Sequence, residues 1–184
     1  MRLERAFYER GAVEVARDLV GKILVHETEA GVASGRILET EAYAGVEDRA
    51  SHAHRGGRDG RARVWYGPGG YAYMYLIYGL HVCANIVVCA PGQPQAVLLR
   101  ALTPLAGLEL MKKRRNRADH LCDGPGRLAQ AMGLTLAHYG ADFCSETLFV
   151  EDDGTKPGIV ATPRVGVAYA GEDAARLWRF VAAK

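Results

Sequence analysis

The sequence contains no apolar run long enough to cross a membrane. Its four cysteines (Cys83, Cys89, Cys122, Cys144) form neither a CxxC pair nor a dense framework. This excludes a disulfide scaffold and favours a reducing, cytoplasmic setting, nucleoid-associated if the source is bacterial. Met1-Arg2-Leu3-Glu4 leads into mixed polar sequence, so no signal peptide is expected. There are only five lysines (Lys22, Lys112, Lys113, Lys156, Lys184), none within the polar stretch from Arg36 to His52. That argues against Schiff-base chemistry with a lysine nucleophile and for activated water. Internal repeats, a domain linker and a Walker loop are also missing.

What is present is an ordinary globular composition over 184 residues, with 49% hydrophobic and 24% charged positions. That length suits one domain, residues 1–184, with a real core. The net charge is only +2, but the charges are unevenly spread. Arg49, Arg55, Arg58, Arg61 and Arg63 sit in one segment opposed by Asp59 alone, and Lys112, Lys113, Arg114, Arg115 and Arg117 form a second cluster. Such polarised arginines make either a phosphate-binding face or a solubilising surface.

The chain is organised around Arg36–His52. Gly35 and Gly45 bound a strand from Arg36 to Ala44, and strand alternation puts Ile37, Glu39, Glu41 and Tyr43 on one face. Leu38, Thr40 and Ala42 then form the core face. Two carboxylates and a phenol on one side of an apolar strand need partners or a task. Upstream, Val13–Val20 reads as a helix closed by Gly21, Lys22–His26 as a strand, and Glu27–Ala33 as a polar return. Downstream, His52–Tyr66 is a long Gly/Arg loop without periodicity. Tyr71–Tyr78 and Leu80–Val88 make a hairpin with Tyr78 near its tip, an aromatic that either folds back or forms a wedge. Asn85 lies in an apolar strand and needs hydrogen-bond partners. Arg100, in the strand Ala96–Ala101, needs an acid, and Glu41 is the candidate.

Thr103-Pro104 is a favourable helix start, with the helix running from Leu105 to Arg115. Gly124–Met132 is a second helix, ended by Gly133, whose glycine-rich start with Arg127 can hold a phosphate. Thr162–Ala168 reads as a last strand and Glu172–Val181 as a closing helix anchored by Trp178. His81-x-Cys83 and His120-x-Cys122 match no common zinc spacing, so no metal is assigned. Glu39 and Glu41, two apart on a strand, leave a sugar or nucleoside hydrolase open as an alternative.

Arg36-Ile-Leu-Glu-Thr-Glu-Ala-Tyr-Ala-Gly-x-x-Asp-x-Ala-Ser-His resembles the signature of the alkyladenine (3-methyladenine) DNA glycosylases, the non-helix-hairpin-helix type. The likeness continues through Tyr73-Met-Tyr-Leu-Ile-Tyr-Gly-Leu-His-Val-Cys-Ala-Asn, Val97-Leu-Leu-Arg-Ala-Leu-x-Pro-Leu-x-Gly, Gly124-Pro-Gly-Arg-Leu, Pro163-Arg-Val-Gly-Val and Trp178-Arg-Phe. It spans nearly the whole chain in the family's order.

The resemblance implies a single mixed α+β domain: a curved antiparallel sheet with a protruding β-hairpin, flanked by helices. It implies a monofunctional enzyme of base excision repair that removes alkylated or deaminated purines from double-stranded DNA and leaves an abasic site; a monomer is the simplest expectation. Neither metal nor organic cofactor is needed. By position, Glu41 would be the general base and Arg100 would hold the water and the carboxylate. Tyr43, His52 and Tyr75 would sandwich the flipped base, Tyr78 would fill the vacated space, and Asn85 would crowd the amino group of normal guanine. Arg58, Arg61 and Arg127 would contact the DNA backbone. A damage-binding module without turnover remains a further alternative. Two features depart from the family pattern. Thr103 stands where glutamate is usual, and Arg58–Tyr66 lacks the usual Thr-Pro-Arg-Asn and Met-Phe while retaining Arg61.

Overall fold

The computed structural model describes residues 1–56 and 60–183. Among these, eight strands form one antiparallel sheet. Six run in the order β3 (Ala72–Ile77), β4 (His81–Val88), β5 (Gln95–Ala106), β2 (Gly31–Tyr43), β1 (Ile23–Thr28) and β6 (Leu148–Glu151). The remaining two, β7 (Ile159–Thr162) and β8 (Arg179–Ala182), pair with each other, and β8 also pairs with β2. The helices are α1 (Arg5–Tyr8), α2 (Ala12–Leu19), α3 (His52–Arg55), α4 (Leu108–Arg115) and α5 (Pro125–Met132). This is the mixed α+β architecture with an antiparallel sheet that the sequence implied.

The central strand is β2. Its first half pairs with β1, and Glu39, Thr40 and Glu41 pair with β8 on the same edge. Its other edge pairs with β5 along its length. One face of the sheet, carrying Thr40, Ala42, Met74, Ala84, Ile86, Val97 and Leu99, is buried against α2 (Val15, Ala16, Leu19) and α5 (Leu128, Ala129, Ala131, Met132). The Thr40 hydroxyl donates to the Ala16 carbonyl at 2.6 Å and ties strand to helix.

Strict alternation along β2 fails at one point. The β2–β5 register skips Leu38 on one strand and Arg100 on the other, so β-bulges flank Glu39. Ile37 therefore turns into the core with Thr40 and Ala42, contrary to the face expected for it, while Leu38 is only half-buried.

Several boundaries also differ from the sequence reading. Glu27–Ala33 is not a loose return, because β1 reaches Thr28 and β2 starts at Gly31. Thr103 and Pro104 do not begin a helix. They pair with Arg36 and Gly35 as the end of β5, and α4 begins only after Gly107. Gly107 has φ +75°, and a Cβ there would meet the Val32 carbonyl oxygen at 2.2 Å, so only glycine makes this junction. The long loop contains α3 and a 3-10 helix, Gly60–Tyr66. The last strand expected over Thr162–Ala168 does not form, since β7 covers Ile159–Thr162 and ends where that strand was to begin. The expected closing helix is a kinked 3-10 segment, Ala168–Ala175, followed by β8. Free edges of β2 and β7 capture Arg179–Ala182, and that pairing overrides the local helical pattern.

Candidate active site

The face of the sheet opposite the helices floors an open cleft of about 980 Å³. Directly paired residues of antiparallel strands project to the same side. The register aligns Tyr73 (β3), Asn85 (β4), Leu98 (β5), Glu41 (β2) and Arg179 (β8) in one row. Tyr75 and Cys83 pair in the neighbouring row. Tyr43, His52, Trp65, Tyr73, Tyr75, Cys83, Asn85, Leu98, Arg100 and Val165 line the cleft, with Tyr78 at its rim.

Glu41 lies fully buried beneath these residues. Its Oε1 accepts the Val165 backbone N–H at 2.7 Å. Its Oε2 accepts the Tyr43 hydroxyl at 2.8 Å, with Arg100 Nη1 at 3.4 Å. Arg100 is closer to Glu39, whose Oε1 accepts Arg100 Nε at 2.5 Å and Arg179 Nε at 2.7 Å. The acid expected to partner Arg100 is thus one of two, and the more distant one. Burial pushes the Glu39 carboxyl up, but hydrogen bonds from Arg179 and Arg100 outweigh it and hold its pKa below the usual range. Burial lowers the Arg100 pKa, and the charges of Glu41 and Glu39 more than restore it.

The aromatic residues come together on the cleft side. His52 begins α3, where the preceding Ser51 caps the helix by accepting the Ala53 N–H. Its Nδ1 lies 3.1 Å from the Tyr73 hydroxyl, and its ring meets Tyr75 edge-on at 4.6 Å. Tyr43 packs with Tyr75 against a small cluster of Ala53, Trp65, Tyr73, Val87 and Ala96. Burial, then the neighbouring Glu41 charge, raises the Tyr43 pKa far above that of a free phenol. Asn85 is buried and donates Nδ2–H to the Tyr73 carbonyl at 3.1 Å.

Tyr78 occupies the hairpin tip. Tyr78 (φ +52°) and Gly79 (φ +68°) are both left-handed, and the Leu80 N–H donates to the Ile77 carbonyl at 3.1 Å. This is the type I′ pattern that matches strand twist. It leaves Tyr78 87% and Leu80 77% exposed, so the tyrosine does not fold back onto the sheet.

Of the residues assigned to DNA backbone contact, Arg58 and the side chain of Arg61 lie outside the described residues. Arg127 is half-exposed and donates to Asp123 at 2.8 Å. That bond, with a second from His120, holds the Asp123 pKa down at about 2. The start of α5 abuts the hairpin, since Pro125 lines the cleft and Gly126 packs on His81.

Sequence reasoning missed the supports. Asp48 and Arg164 form a fully buried pair, with Nη1–Oδ2 at 2.6 Å and Nη2–Oδ1 at 2.9 Å. Arg164 also donates to the carbonyls of Ala42 and Asp173, while Asp48 accepts the N–H groups of Ala44 and Ala50. The guanidinium lies between the Tyr43 and Trp178 rings, 4.9 and 5.1 Å from their centroids. Nothing local in the sequence signals a partner 116 residues away. Trp65 was likewise unassigned. Its ring meets Tyr73 at 4.8 Å, and its buried Nε1 has no acceptor among the described residues.

An aromatic-lined cleft over a buried carboxylate, beside an exposed hairpin tip, has the chemistry to hold a flat ring against that carboxylate. The chain belongs to the methylpurine-DNA glycosylase family, whose model matches residues 6–184. A protein of Methanocella arvoryzae is 50% identical over 182 residues, covering 97% of this chain and 90% of that one. A protein of Desulfitobacterium hafniense is 42% identical over 190 residues, covering 97% and 94%. Both carry the name "Putative 3-methyladenine DNA glycosylase". Family membership makes this chain a DNA-binding glycosylase, a hydrolase of DNA repair.

Proposed function

We propose that the protein is a monofunctional glycosylase that flips an alkylated or deaminated purine out of duplex DNA. It then hydrolyses the N-glycosidic bond with water activated by Glu41. The observation that carries this reading is the Glu41 carboxylate, held by Val165 N–H, Tyr43 OH and Arg100 directly beneath an aromatic-lined cleft. Flipping costs roughly a few kcal/mol. The exposed Tyr78 offsets part of that by entering the stack. The extruded base lies among Tyr43, His52 and Tyr75, which favour cationic alkylpurines through their ring faces. Asn85 crowds the amino group of guanine.

Tyr43 donates to Oε2 in the free protein, so water reaches that oxygen once the incoming nucleotide displaces the hydroxyl. The carboxylate then faces the oxocarbenium-like sugar and accepts the proton of the attacking water. No lysine takes part, which leaves an abasic site without strand cleavage. The candidate substrates are 3-methyladenine, 7-methylguanine, hypoxanthine and ethenoadenine, and the working form is a cytoplasmic monomer.

The test is single-turnover base release from duplexes carrying one hypoxanthine, ethenoadenine or 7-methylguanine, with alkali to cleave abasic sites. Wild type should release base. Glu41→Gln should slow release by about 10² or more while still binding lesion duplex. Release by Glu41→Gln at the wild-type rate would remove Glu41 from the mechanism. Binding without release by wild type would leave a damage-binding module.

A further inference from the structure

Of the three register shifts between the central strands β2 and β5, two flank Glu39, one skipping Leu38 and one skipping Arg100. Bulges beside active sites re-aim side chains. Here they bring Arg100 against Glu39, a carboxylate outside the group that lines the cleft. We propose that Glu39 is a positioning residue that draws the Arg100 guanidinium away from Glu41, so that the negative charge of Glu41 is left uncompensated to face the reacting sugar. This rests on the reading of Glu41 as the general base.

The geometry is asymmetric. Arg100 Nε is 2.5 Å from Glu39 Oε1, whereas its Nη1 is 3.4 Å from Glu41 Oε2. Arginine and carboxylate left to themselves close into short, paired hydrogen bonds. Arg100 does not do so with Glu41, because its Nε is already committed to Glu39. A guanidinium fully engaged with Glu41 would compensate the charge that must face a cationic sugar, and electrostatic stabilisation of the developing charge is the main work of such a carboxylate. Glu39 is in turn anchored from the far side by Arg179 Nε at 2.7 Å, across the β2–β8 pairing. Its depressed pKa keeps it an anion at neutral pH, which the role requires.

The experiment compares Glu39→Gln with Arg179→Gln in the full-length chain. It reads single-turnover rate at saturating enzyme, lesion-duplex Kd and Tm. Glu39→Gln keeps the shape but releases Arg100, so its rate should fall about tenfold or more while Kd stays within about threefold of wild type, the signature of an interaction that matters in the transition state. Arg179→Gln breaks the same network yet leaves Glu39 on Arg100, so it should lose comparable Tm and keep its rate within about threefold. Loss of rate in both variants in proportion to loss of Tm would make Glu39 merely structural and overturn the proposal. A wild-type rate in Glu39→Gln would overturn it too. Should Glu39→Gln not fold, Glu39→Asp retains the charge but withdraws it from Arg100, and an undiminished rate there overturns the proposal equally. Wild type that releases no base overturns the parent reading and this one with it. Wild type that releases base while Glu39→Gln keeps pace overturns this inference alone.

Discussion

Arg164 touches no position where a substrate would lie, yet the next residue along the chain supplies the N–H that holds Glu41 Oε1. Its guanidinium joins the end of β2, the Asp48 turn and the segment before β8 into one node. With both side chains fully buried, Arg164→Met leaves the Asp48 carboxylate without its cation in a dry site, at a cost of about 3–5 kcal/mol. Denaturant unfolding should register that loss. The double variant Asp48→Asn/Arg164→Met removes the stranded charge and should recover part of it. A double variant as unstable as the single one would mean that packing on Tyr43 and Trp178, not charge, is what Arg164 supplies. The carboxylates Glu39 and Glu41 were legible in the sequence because they interrupt apolar alternation two positions apart on one strand. Their partners Val165 and Arg179, and the Asp48–Arg164 pair, were not, because only the folded sheet brings positions more than a hundred residues apart within hydrogen-bond reach.

The β3–β4 hairpin sets a conformational demand against an exposed one. A bulky residue at φ +52° is strained, and asparagine adopts that region far more readily. Tyr78→Asn should therefore leave the hairpin folded, with Tm unchanged or slightly raised. If Tyr78 is a wedge, the same variant should lose roughly tenfold in lesion-duplex affinity, about 1.4 kcal/mol. Unchanged affinity together with an unchanged excision rate would show that the tip does not enter the duplex. This element was readable because Tyr-Gly between two alternating runs is a turn signal. The ends of β5 and the chain after Thr162 were misread for the opposite reason. Thr103-Pro104 has good cap chemistry and Glu172–Val181 a passable helical pattern, but unpaired edges of β2 and β7 offer backbone hydrogen bonds that local preference cannot match. Helices α2 and α5, which bury one stripe, were read nearly to the residue, although α2 ends at Leu19 with Val20 and not Gly21 as its cap, whereas α5 is closed by Gly133 as expected.

Across the whole molecule, the net charge of +2 conceals how much of the cationic charge is already paired with acids. At least ten of the 23 lysines and arginines bind an acid, among them Arg36 with Asp153, Arg127 with Asp123 and Arg5 with Asp142. Arg49, at the cleft, and Arg2, Arg17, Arg63, Lys113, Arg114, Arg115, Arg117 and Lys156 have no ion pair among the described residues. Each phosphate neutralised by a protein cation contributes about −0.9 to the slope of log K against log salt on duplex DNA. A grip through roughly three to five of these cations gives a slope of about −3 to −4.5. Fluorescence anisotropy with a lesion duplex between 50 and 300 mM salt (roughly the range where such slopes are linear) measures it directly. A slope steeper than about −6 would mean that more than about six cations reach the backbone. The wedge contributes no counterion release, so Tyr78→Asn should lower the line without tilting it. A change of slope in that variant would place Tyr78 in the orientation of the phosphate contacts instead of in the stack.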